Sequence, residues 1–242
     1  MLRSRRNLAL ACALSALAGY VDGTGFLHLG GLFVSFMSGN STRLGVSLAQ
    51  AHWGDASLAI GLILLFVAGA GLGSLMVRGS GTCSQCRVLL AEAMLLAGAG
   101  LCYALGWPRL AVTAMVLAMG LENAVFQVDG GPGIGLTYMT GALVKVGQLA
   151  AAALTGGPRW AWLPNLLLWG ALVVGAATGA FVYAQINLAA VWFAAGTALL
   201  LSAMVAIPVS RAVVDGGAAS RTVSSPGTSL DELRRASEYH RV

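Results

Sequence analysis

Charge is what this chain has least of. Of its 242 residues only 14 are basic and 9 acidic, about a tenth of the chain, where a soluble domain carries about a quarter. Such a sequence cannot clothe a globular surface in water. With 57% hydrophobic residues and a mean hydropathy of +0.80, it reads as an integral membrane protein. Histidine is equally sparse: His28, His52 and His240 are scattered and form no ligand cluster. Cys83-Ser84-Gln85-Cys86 lies in a short loop without the further ligands of a four-coordinate zinc site, so no metal and no other cofactor is expected. Cys12 and Cys102 fall in apolar runs and read as core. Ser-His-Asp order, a Gly-x-x-x-x-Gly-Lys loop and a His-Glu-x-x-His pair are all missing. The chain is read as not an enzyme, the one remote nucleophile being Ser38 or Ser41 near Asp22.

The charges that exist are placed at the ends. Arg3, Arg5 and Arg6 precede the first apolar run, and Arg211, Arg221, Arg234, Arg235 and Arg241 follow the last. They form no patch on a soluble module, which excludes a nucleic-acid partner as the reading of the net charge of +5. As topology signals they put both termini in the cytoplasm and require an even number of crossings. The start has the basic-then-apolar form of a secretory signal, but the apolar run continues to Leu29 and reads as a retained first helix.

Eight apolar segments follow, at roughly 7–27, 32–52, 56–77, 88–106, 109–127, 134–154, 163–184 and 188–209, each near the ~20 residues that cross a bilayer as a helix. Ser35-Phe36-Met37-Ser38-Gly39-Asn40-Ser41-Thr42-Arg43-Leu44-Gly45 returns without gaps as Thr137-Tyr138-Met139-Thr140-Gly141-Ala142-Leu143-Val144-Lys145-Val146-Gly147. The same shift carries the first four segments onto the last four and Gly73 onto Gly175. The expected fold is all-α: a multi-pass helical membrane protein of two tandem four-segment repeats, residues 7–106 and 107–210. A basic amino terminus, 1–6, precedes them and a mobile cytoplasmic tail, 211–242, follows. In the tail, Ser229 to Glu232 has the form of a capping box, and Arg234-Arg235-Ala236-Ser237 that of a basic-directed phosphorylation site. Gly69 to Gly73 and Gly175 to Gly179 have the Gly-x-x-x-Gly spacing of closely packed helices.

Segments two and six are too polar to face lipid, since unpaired polar groups in hydrocarbon are costly and a mid-membrane Arg costs about 3 kcal/mol. Gly30-Gly31 and Gly130-Gly131-Pro132-Gly133 lead into them, as interruptions that let a chain reverse. Matching interrupted segments in two halves point to a transporter's binding site. Both segments are expected to be broken or re-entrant, giving six crossings, which Arg78 and Arg87 around the third loop favour, or else eight full crossings.

Gly19-Tyr20-Val21-Asp22 with Gly30 to Asn40, and Gly120-Leu121-Glu122-Asn123-Ala124 with Thr137 to Gly141, resemble the two signatures of the YoaK-like bacterial membrane protein family. The resemblance covers about residues 7–210 and implies a multi-pass inner-membrane protein, usually with about six helices, of unknown function. The chain departs from the family pattern with Ser38 in place of Thr and Glu122 in place of Gln.

The intramembrane ionisable residues are Asp22, Arg43, Glu92, Glu122 and Lys145. A carboxylate in an apolar setting either pairs with a cation or takes a proton, and the expected pairs are Asp22 with Arg43 and Glu122 with Lys145. The expected path for a solute or ion is lined by Asp22, Ser35, Ser38, Gly39, Asn40, Arg43, Glu122, Asn123, Thr137, Tyr138, Thr140, Gly141 and Lys145, with Glu92 as a candidate coupling acid. The expected function is secondary transport of an unidentified small solute within the lipid bilayer. A non-transporting scaffold or assembly subunit is the alternative, and the oligomeric state is left open.

Overall fold

The structure is a computed structural model that describes residues 5–78, 84–126 and 139–206. Every regular element among them is helical: α1 (Arg5–His28), α2 (Met37–Ala49), α3 (Trp53–Val77), α4 (Ser84–Ala104), α5 (Pro108–Glu122), α6 (Met139–Leu154), α7 (Leu163–Ile186) and α8 (Val191–Ala206), with a 3₁₀ turn, Asn187–Ala190, before α8. The turn Gly130 to Gly133, Cys83 and the tail with its capping box and Arg234 to Ser237 lie outside the described residues. The protein is thus an all-helical, multi-pass membrane protein. Arg6–His28, Trp53–Val77, Ser84–Ala104 and the stretch Leu163–Ala206, which holds both α7 and α8, are long and apolar enough to cross a membrane.

Local chemistry explains most boundaries. Pro108 and Pro164 sit in the first turns of α5 and α7, where the missing amide hydrogen removes no helical bond. Gly106 closes the α4–α5 turn at φ 82°, a left-handed conformation that favours glycine. Three boundaries differ from the hydropathy reading. Helix α2 begins at Met37, later than segment two, because Gly30 to Phe36 is not helical. Helix α5 ends at Glu122 and passes into a turn over residues 123–126. Cys86, expected in a loop, lies in the first turn of α4, its Sγ 3.6 Å from the Ser202 hydroxyl of α8.

The 13 residues of α2, bounded at both ends among the described residues, rise only about 20 Å, short of the ~30 Å hydrocarbon thickness. The other helices pair into a frame: α1 lies on α7, α3 on α5, and α4 between α5 and α8. Glycine makes the first two contacts possible. Gly19 and Gly23 of α1 abut the carbonyls of Leu172 and Ala176, while Gly175 and Gly179 of α7 abut those of Ala16 and Tyr20. On the other pair, Gly69 meets the Leu117 carbonyl, Gly120 meets that of Phe66, and a methyl on Gly73 would stand 2.8 Å from the Ala124 Cβ. Without water to drive association, helices in lipid hold together by such close backbone packing.

The frame predicts its own weak points. Gly175→Val and Gly120→Val each force a side chain into the facing backbone and are expected to destabilise by about 1–3 kcal/mol or more. Gly71→Ala enters open space and should leave the melting temperature in detergent unchanged. Equal melting temperatures for the Gly175 and Gly71 variants would contradict the α1–α7 contact.

Candidate functional site

The site grows out of a chain reversal. Helix α1 ends with the Gly31 amide donating to the Phe26 carbonyl, and Gly30 and Gly31 take φ of 63° and 99°. The non-helical residues that follow turn back against α1 and are buried at Leu32, Val34 and Ser35. A buried backbone outside a helix has no internal partners for its amides and carbonyls, and in an apolar medium it must find them elsewhere.

Two side chains supply them. Asp22 Oδ1 accepts the Val34 amide at 2.8 Å and the Ser35 amide at 2.7 Å, and Oδ2 accepts the Ser35 hydroxyl at 2.6 Å. Asn40, wholly buried on the first turn of α2, accepts the Phe33 amide at 2.8 Å and donates to the Phe33 carbonyl at 2.7 Å. Phe33 stacks between Phe26 and Phe36, with ring centroids 4.9 and 5.2 Å apart. Gly39 faces these rings, and a methyl there would stand 2.7 Å from Phe36.

The expected ion pairs are not formed. Asp22 spends its oxygens on the reversal, and Arg43 is exposed, its Nη1 3.5 Å from the Gly30 carbonyl. There the guanidinium sits at the carboxyl end of α1, where a positive charge is favoured by the helix dipole. Glu122 is fully buried with neither oxygen hydrogen-bonded, while Lys145 is exposed on α6. Glu92 on α4 is likewise buried with both oxygens unpartnered.

Two cavities flank the reversal. One, of about 450 Å³, is lined by Ser35 to Ser38 ahead of and opening α2, by Met139 and Thr140 opening α6, and by Phe66 and Asn123. The other, of about 460 Å³, shares Ser35, Phe36 and Met139 and continues along the α1–α7 seam past Asp22, Gly19, Gly23 and Ala176. Ser35, Ser38, Asn123 and Thr140 are therefore brought together, with Asp22 on the adjoining cavity. Asn40 and Gly39 act behind the wall, and Arg43 and Lys145 line neither cavity. Gly141 follows Thr140 on α6 without lining a cavity, while Thr137 and Tyr138 lie outside the described residues. Phe66 was missed, since a Phe in the apolar segment three carries no sequence signal. Phe36 and Met139 belong to the repeated phrase, but reading for polar groups passed them over.

The bracing predicts which charge matters. A buried donor left without its acceptor costs about 1–3 kcal/mol, so Asp22→Ala, which strands three, should melt far below Arg43→Gln in detergent. In a double-mutant cycle Asp22→Asn and Ser35→Ala should couple by about 1 kcal/mol, whereas Asp22→Asn and Arg43→Gln should add within about 0.5 kcal/mol. Coupling of the second pair and not the first would restore the ion pair.

Comparison with known proteins agrees with this architecture. Residues 10–204 match the sequence profile of a family described as protein of unknown function, DUF1275. A UPF0700 transmembrane protein of Rhizobium meliloti (strain 1021) is 37% identical over 202 residues, covering 83% of this chain and 87% of the relative. No solved structure matches the chain. The signatures around Asp22 and Asn40, and around Glu122 and Asn123, thus lie within the matched region, and the chain belongs to this transmembrane family of unknown function, DUF1275.

Proposed function

We propose that the protein is a secondary transporter for a small solute in the bacterial inner membrane, built from two repeats whose short helices α2 and α6 open onto the path. The observation that carries this reading is the 450 Å³ cavity, because Ser35 to Ser38 of one repeated phrase and Met139 and Thr140 of the other line it. Helix α2 starts there without a side-chain cap, leaving amide hydrogens of its first turn for a polar solute group, as at the half-helix ends of known transporter folds. The helix pairing supports the repeat: a shift of four helices exchanges the α1–α7 contact with α5–α3, and both pairs are present.

In this reading α1, α3, α4, α5, α7 and α8 cross the membrane, while α2 and α6 are re-entrant. Three crossings per half make the repeats inverted, and the positive-inside tendency places both termini in the cytoplasm. The bilayer and a small solute are the only partners proposed. Catalysis is not proposed: the serine bonded to Asp22 is Ser35, and Asp22 already accepts two backbone amides, which makes it a brace and not a base. The scaffold alternative draws on the same bonds, since Asp22 and Asn40 are spent inside the protein.

Two labelling experiments test the proposal. In a background stripped of native cysteines, Ser38→Cys and Thr140→Cys are expected to react with a water-soluble thiol reagent and to be slowed by the transported solute. Silence at both positions would favour the scaffold. In wild-type spheroplasts Cys83 and Cys86 are expected to resist an impermeant thiol reagent, and rapid labelling from outside would reject six crossings.

A further inference from the structure

Asp22, Glu92 and Glu122 are three acids in the interior of the bundle, and the fold treats them differently. Asp22 receives three hydrogen bonds. Glu92 and Glu122 have no solvent exposure, and all four of their carboxyl oxygens are without a hydrogen-bond partner. Glu92 projects from the middle of α4 and Glu122 from the last turn of α5, which packs against α4. The two helices share one buried core, with Ala93 beside Glu92 and Leu121 beside Glu122 both part of it.

No compensating charge faces them among the described residues. Helix α8, packed on α4, has no ionisable side chain, α3 has only Asp55 in its first turn, and α1 contributes Asp22. On their own helices, Arg87 and Arg109 are exposed near the amino-terminal ends. Two neighbouring carboxylates in such a setting would repel each other without solvent or counter-charge. A carboxylic acid has no such difficulty. A metal cation would need a shell of ligands, and no cluster of three or more His, Cys, Asp or Glu able to hold one occurs among the described residues.

We propose that Glu92 and Glu122 form a proton-carrying carboxyl pair, the coupling site of the transporter proposed above. Each carboxylate takes one proton to become a neutral acid when loaded, and returns that proton to water when the pair is exposed to the opposite side. Glu122 precedes Asn123, which lines the 450 Å³ cavity, and the proton enters and leaves by this end of α5. Asp22, held by its three donors, takes no part in the proton traffic and keeps the reversal in place.

This inference rests on the transport reading for its role, but the protonation is testable alone. Infrared spectra of the full chain in lipid nanodiscs at neutral pH should show the carbonyl stretch of a protonated carboxylic acid, shifting on transfer to D₂O because the proton exchanges. Glu92→Gln and Glu122→Gln should each remove part of that band. Glu92→Asp, which keeps the acid, should move it without removing it, and guards against loss through misfolding. A spectrum without the band, a band untouched by either Gln variant, or a band that never exchanges would overturn the pair. Silent cysteines at positions 38 and 140 with the band intact would remove the transport reading and leave the acids protonated. Reactive cysteines with no band would do the reverse.

Discussion

The structure depends on one requirement of an apolar medium: backbone that leaves the helix must find its hydrogen bonds in the protein. The reversal after α1 leaves the helix inside the bundle, and Asp22 and Asn40 satisfy it from opposite sides. Asp22 ties the reversal to the helix before it, and Asn40 ties it to the helix after it. The start of α2, the stack of Phe26, Phe33 and Phe36 and the cavity wall at Ser35 all follow from those bonds. Polar residues that look from composition like a solute path are in part the scaffolding that lets the path exist.

Close helix packing is the second condition. The glycines of α1 and α7, and of α3 and α5, bring backbones into contact, so these pairs form dense walls. Space remains between them, where Ser35 to Ser38 face Met139 and Thr140 across a cavity. The dense seams thus stand beside a cavity in a protein otherwise packed with alanine, leucine and valine. Glu92 on α4 and Glu122 on α5 are buried with unpartnered carboxyl oxygens. Their lack of partners sets them apart from Asp22, whose satisfied carboxyl marks a fixed structural joint.

Much of this was legible in order along the chain. Among the described residues each of the eight apolar runs holds an α-helix, because hydropathy reports which stretches prefer lipid or core wherever they pack. The glycine spacings at 69–73 and 175–179 identified seams, because in lipid only small residues let helices approach. The charge pairs were misread for an equally physical reason. Complementary signs at Asp22 and Arg43 suggested an ion pair, but a carboxylate can be satisfied as well by amides, and backbone amides leave no trace in residue identity. Ser35 was marked as polar, yet nothing in its neighbours along the chain says that a turn of two glycines returns it to Asp22.

By itself, then, the sequence determined the solvent, the helical class, the approximate helical segments and the polar interruption ahead of α2, since each depends on composition and spacing within one segment. Which polar groups meet was decided only by the tertiary structure. Asp22 reaches Ser35 through a left-handed turn, Ser38 and Thr140 come to line one cavity, and Glu92 and Glu122 are buried in one core because α4 packs on α5. Those meetings depend on the direction in which each helix face points after packing, and hydropathy along one segment does not encode that direction.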